Sequence, residues 1–222
     1  MAKRRQMVMG FMRRGGARKG AGRKPTGEKA GVSHKEREVL AARFPVHVTL
    51  RLSKGLPRLR NKGAYGVLRE AFRRGNERSG FRLCHYSVMG NHMHLIVEAK
   101  DRRALSRGMQ GLVIRMARGL NRLWERSGKV FSDRYHGHIL KNPREVRHAL
   151  SYVLNNARRH ALALKWAIDL FASGPWFDGW RARKALVEVP SGVERPTAEP
   201  HTWLLSTGWR KRGLILPTEV PG

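Results

Sequence analysis

The chain has 222 residues, enough for one compact domain with flanking segments, and its 41% hydrophobic content excludes a wholly disordered polymer. Charge dominates the composition: 46 Lys and Arg against 16 Asp and Glu leave a formal net charge of +30. That excess repels itself and adds nothing to a fold, so it points to a polyanionic partner, and phosphate backbones attract it through counterion release. Cys84 is the single cysteine, which excludes a disulfide framework and a multi-cysteine zinc site. No run of about 18 apolar residues is present to cross a membrane. Met7 to Met12 is too short for the apolar core of a secretory signal and is followed by Arg13 and Arg14. The expected location is the cytoplasm.

Residues 1 to about 43 are rich in Gly, Lys and Arg without apolar periodicity, and read as a flexible basic arm. Within it, Arg23 and Lys24 in Gly22-Arg23-Lys24-Pro25 are candidate DNA contacts, either in a narrow minor groove or as a generic phosphate-binding tail. From Phe44 to Leu52 the pattern alternates, with Phe44, Val46, Val48 and Leu50 opposite His47, Thr49 and Arg51; this predicts a half-buried strand. Ala64, Val67, Leu68, Ala71 and Phe72 at helical spacing predict a helix over 61–79, ended by Gly80. Residues 81–99 read as a hairpin, with strands 81–89 and 92–99 around the turn residues Gly90-Asn91.

Asp101 caps a predicted helix running to about Arg126, its stripe made by Leu105, Met109, Leu112, Met116, Leu120 and Leu123. Val130 to Lys141 reads as a fourth strand. Asn142-Pro143-Arg144-Glu145 then starts a helix over about 143–161 that buries Val146, Ala149, Leu150, Val153, Leu154 and Ala157. Strand, helix, strand, strand, helix, strand is the α+β, ferredoxin-like βαββαβ order, an antiparallel sheet with an additional C-terminal helix. The expected divisions are the arm at 1–43, the folded domain at 44–161, and an irregular, Trp-rich basic tail at 162–222.

Two constellations carry chemistry. His92 and His94 are two apart on a strand and so share a face, within reach of one metal ion, while Met93, Leu95 and Val97 face the core. On the last helix, Tyr152 and Asn156 are four apart, which stacks a phenol and an amide on a polar face that also carries Glu145, His148 and Arg159. A surface tyrosine of an amphipathic helix has the same pattern, so the residues alone leave both readings open.

Met89-Gly90-Asn91-His92-Met93-His94 resembles the His-hydrophobic-His motif of HUH nucleases. Tyr-Val-Leu-Asn-Asn at 152–156 resembles the tyrosine helix of the REP-associated tyrosine transposases, bacterial relatives of the single-strand insertion-sequence transposases. The resemblance spans roughly residues 44–161. It implies a divalent metal, Mg²⁺ or Mn²⁺, held by His92, His94 and Asn156, with Tyr152 as catalytic nucleophile. It also implies a 5′-phosphotyrosine intermediate with a free 3′-hydroxyl, and single-stranded DNA or a DNA hairpin as partner. Asn156 stands where the insertion-sequence branch usually has Gln, and Ala157 follows where the REP-associated branch usually has Pro.

The implied function is a metal-dependent single-strand DNA endonuclease and strand transferase, working on the bacterial nucleoid. One alternative is a non-catalytic, domesticated DNA- or RNA-hairpin-binding protein of the same fold. A zinc hydrolase using both H-x-H pairs is another, but it lacks an obvious general base. Arg134, His136 and His138 share one face of the fourth strand and read as DNA-binding or second-layer residues, along with Arg159, Arg210 and Lys211. His47 faces the same side as the site, where a structural role is equally expected. Of the tail tryptophans, Trp209 in Trp209-Arg210-Lys211-Arg212 is the candidate base-stacking residue; docking the tail on the core is the expectation for the rest. No membrane partner is expected, and self-association stays open.

Overall fold

Strand β1 (Val46–Arg51) sits near the centre of the sheet because its alternation gives it two usable faces: Val46, Val48 and Leu50 are buried, while His47, Thr49 and Arg51 face the other side. The computed structural model describes residues 39–78, 80–160, 162, 164, 167–181 and 193–221. Arg23 and Lys24 lie outside them. The remaining elements are α1 (Lys62–Arg73), β2 (Glu77–Arg78), β3 (Phe81–Val88), β4 (His92–Ala99), α2 (Arg102–Leu123), β5 (His136–Ile139), α3 (Pro143–Leu154), α4 (Asn156–Arg159) and α5 (Trp203–Ser206). The sheet order is β2-β3-β4-β1-β5, with every pairing antiparallel. Without β2 this is the ferredoxin-like arrangement, as the element order predicts.

Caps fix the helix starts where the sequence places them. Asn61, Asp101 and Asn142 each accept a backbone N–H three residues on. Glu145 also reaches back to accept from the N–H of Lys141, the residue before the cap, at 2.8 Å. Three boundaries differ from the sequence expectation. Helix α1 stops at Arg73 rather than Ser79, because Glu77 and Arg78 instead pair with Arg82 and Phe81 and Gly80 turns the chain at φ +77°. The fourth strand shrinks to four residues, with an isolated bridge between Leu52 and Phe131 and an intervening segment in which Ser132 donates to the Arg51 carbonyl. The last helix is two helices. Asn155 (φ −106°, ψ 15°) ends α3, and its Nδ2 donates to the carbonyl of Leu216, 61 residues away.

Two cores lie on opposite faces of the sheet. One packs α1 and α2 against Val46, Val48, Leu50, Met93, Leu95 and Val97. The other packs α3 against Cys84 and Ile96 and is completed by C-terminal residues including Phe177, Trp180, Leu205, Trp209 and Ile215. The C-terminal residues are pinned by buried polar pairs. Arg60 forms a two-pronged bond to Asp169 at 2.9 and 2.7 Å, and Asp169 is 3% exposed. Buried Glu98 accepts from the N–H groups of His201 and Thr202, holding the start of α5. Asp169→Ala strands the Arg60 charge and should lower unfolding stability by about 3 kcal/mol. Urea denaturation checks this, and a loss under about 1 kcal/mol would show that solvent already reaches the pair.

Candidate active site

The register of β1 against β4 builds the histidine face. Thr49 lies opposite His94 and Arg51 opposite His92, so the polar side of β1 flanks the polar side of β4. His94 Nδ1 lies 3.1 Å from His47 Nε2 and 3.2 Å from Thr49 Oγ1. His92 Nδ1 lies 2.8 Å from Asn91 Oδ1, an acceptor, so this nitrogen is the donor. Each imidazole is thus oriented through Nδ1, which leaves Nε2 as the available ligand atom. The two rings are 5.0 Å apart, centroid to centroid.

Burial, followed by the neighbouring imidazoles, holds the His94 pKa down to about 3. His47 is lowered to about 4 by burial and then by His138 and His136. His92 is lowered by burial, then by His160 and Arg51. All three rings are neutral at pH 7, the protonation state a metal needs.

Tyr152 projects from α3 against this face. Its ring meets His94 edge-on at 5.0 Å and His47 at 5.8 Å, with the Arg159 guanidinium 5.5 Å above it. The ring is half-buried, and no described residue hydrogen-bonds its hydroxyl. Tyr65 and Tyr86 are bonded to each other at 2.9 Å through their hydroxyls, and burial raises the pKa of both.

Buried polar atoms without partners cost about 1–3 kcal/mol each and are rare in native proteins. Among the described residues only four buried side-chain atoms lack a hydrogen-bond partner: His94 Nε2, Arg115 Nη1, and both Nδ2 and Oδ1 of Asn156. Three of the four fall on two of the residues named as metal ligands. Among the described residues no three His, Cys, Asp or Glu form a metal cluster. A neutral, oriented imidazole and a fully buried amide oxygen with no other partner among the described residues fit a divalent ion.

The break at Asn155 changes the setting of Asn156. It does not share a continuous helical face with Tyr152; it opens α4 and is wholly buried, whereas Tyr152 is half-exposed. His136 and His138 are exposed on β5, paired with Thr49 and His47, and so extend the histidine face by one strand. Arg134 is exposed just before them.

Arg159 donates to the Pro221 carbonyl at 2.7 Å, and Arg210 pairs with Asp178 at 2.7 Å. Lys211 stands 5.2 Å over Trp203, which is exposed. Trp209 is 1% exposed and stacks on Phe177, so it is a core residue and not a base-stacking one. The sequence reading missed Thr49 and Asn91 as the groups that orient the histidines. It also missed His160, whose ring is 5.9 Å from His92. Thr49 was recoverable from strand alternation; His160 had no local signal.

Sheet order and site together define a ferredoxin-like α+β domain in which a tyrosine helix lies against a His-x-His strand. The chain belongs to the IS200-like transposase family, whose sequence model, described as "Transposase IS200 like", matches residues 43–156. No curated protein matches it. Its fold is similar to a REP-associated tyrosine transposase solved bound to a REP hairpin, at TM-score 0.53 and 18% identity, over 64% of this chain and 82% of that one. No helix among the described residues is long and apolar enough to cross a membrane.

Proposed function

We propose that this protein is a metal-dependent single-strand DNA endonuclease and strand transferase that acts beside DNA hairpins through a tyrosine-linked intermediate. One observation carries the reading: a tyrosine hydroxyl that no described residue bonds, on a ring packed against His94, whose Nε2, like both amide atoms of Asn156, is buried without a partner among the described residues. The oxygen of Tyr152 forms a bond to phosphorus as the bond from phosphorus to the 3′-oxygen breaks. The phenol loses its proton and the 3′-oxygen leaves as a hydroxyl. The phosphate stays joined to the enzyme as a 5′ ester, so its bond energy is conserved for rejoining. His92, His94 and Asn156 would hold the divalent ion, which when bound neutralises charge at the scissile phosphate. His47 and Thr49 keep His94 in the required orientation, and Arg159 packs over the ring of the nucleophile.

The +30 charge supports a nucleic-acid partner, and the fold shared with a hairpin-bound transposase supports a hairpin as the form recognised. Incubation with hairpins carrying single-stranded flanks and Mn²⁺ should give a denaturant-resistant adduct, with the phosphate ester mapping to Tyr152. An ester on Tyr135 would relocate the site. No adduct on any substrate, with hairpin binding intact, would favour a binding protein without catalysis.

A further inference from the structure

A cleft of about 410 Å³ opens between α2 and the segment leading into β5, on the sheet face opposite the histidines. Leu50, Met109 and Val113 form its apolar floor. The Tyr135 ring and the exposed Gln110 amide line it, and Arg102 and Arg134, with Asp133, reach its rim. Its volume is at the low end of small-ligand pockets, roughly 300–1,000 Å³, which suits one nucleotide and excludes a duplex.

The register connects the histidine face to the edge strand that borders this cleft. Thr49 pairs with His94 on one side and with His136 on the other, so the three residues form one row across β4, β1 and β5. Strands are about 4.8 Å apart, which puts the His136 backbone about 10 Å from that of His94. Tyr135 immediately precedes His136 and packs toward the core on the opposite face. β5 ends the described sheet, so a strand passing over its exposed His136 and His138 comes directly to the cleft. A stacked strand advances about 3.4 Å per nucleotide, so the roughly 10 Å along the sheet is about three nucleotides, and rounding β5 to the opposite face takes roughly another 10 Å, or about three more.

We infer that this cleft captures one unpaired nucleobase of the strand leaving the active site, and so sets which phosphate reaches Tyr152. The inference rests on the strand-cleavage reading above. Tyr135 supplies a stacking face, which every base accepts. Gln110 offers a donor and an acceptor to a base edge, and the two arginines provide charge for the flanking phosphates.

The test uses full-length Tyr152→Phe protein, which binds without cutting, and a hairpin whose single-stranded flank carries one abasic site moved a nucleotide at a time. One position, within about six nucleotides of the cut mapped with the unmodified protein, should weaken binding about tenfold, with its neighbours affected less than about twofold. Adding Tyr135→Ala or Gln110→Ala should flatten the profile. Gln110 is exposed, so its variant decides the matter even if Tyr135→Ala fails to fold. A flat profile in the parent protein, a minimum farther from the cut, or a minimum that survives Gln110→Ala overturns the cleft assignment, whether or not the adduct forms. A minimum that Gln110→Ala removes, with no adduct from the unmodified protein, overturns the cleavage reading and leaves the base pocket standing.

Discussion

Tyr152→Phe is expected to abolish the protein–DNA adduct, a fall of at least about 10⁴-fold, while melting temperature and hairpin affinity should stay at the unmodified values. The size of the loss follows from removing the attacking atom itself. Stability is spared because no described residue hydrogen-bonds the lost hydroxyl and the ring that packs on His94 and His47 is kept. The other tyrosines are poorly placed to substitute. Tyr86 is fully buried with its hydroxyl bonded to that of Tyr65, and Tyr135 packs on the opposite sheet face. A denaturing gel with labelled hairpin reads the result, and an undiminished adduct would remove Tyr152 from the chemistry.

His94→Ala and Asn156→Ala should lower cleavage strongly, His94→Ala by about a thousandfold, because a bound metal would contribute several kcal/mol of charge stabilisation. Asn156→Ala is milder, since it removes one ligand and leaves both histidines. In metal-free protein Asn156→Ala is expected to have an unusual sign: truncating this wholly buried side chain should raise stability. Two unpartnered amide atoms are a penalty of about 1–3 kcal/mol, larger than the cost of the small cavity left behind. A net gain of about 1 kcal/mol raises the melting temperature by about 2–4 °C in a chain of this size. Calorimetry in the presence of a chelator tests it. A lowered melting temperature would show that the amide is satisfied in solution and is not held in reserve for a ligand.

Much of the site follows from local geometry. Strand alternation is a property of two successive peptide units, so placing His92 and His94 on one face, and His47, Thr49 and Arg51 on the adjoining one, needs nothing beyond the segment itself. Helix starts are equally local, because Asn61, Asp101 and Asn142 cap backbone groups three residues away. The order of elements then restricts the sheet to the ferredoxin-like arrangement that the structure adopts.

The tertiary structure decided which polar groups already have partners. The sequence of α3 continues in helical periodicity past Asn155, and the break there depends on a carbonyl at Leu216 that no local window contains. Arg159 and Arg210 look like free cations beside aromatics, yet Pro221 and Asp178 hold them. Trp209, in a basic run, is buried because the distant Phe177 offers it a stacking surface. Periodicity tells which way a side chain points, since backbone dihedrals set that residue by residue. Which atom meets it depends on contacts tens of residues apart, so only the folded chain showed that the hydroxyl of Tyr152, Nε2 of His94 and the amide of Asn156 are left without partners among the described residues.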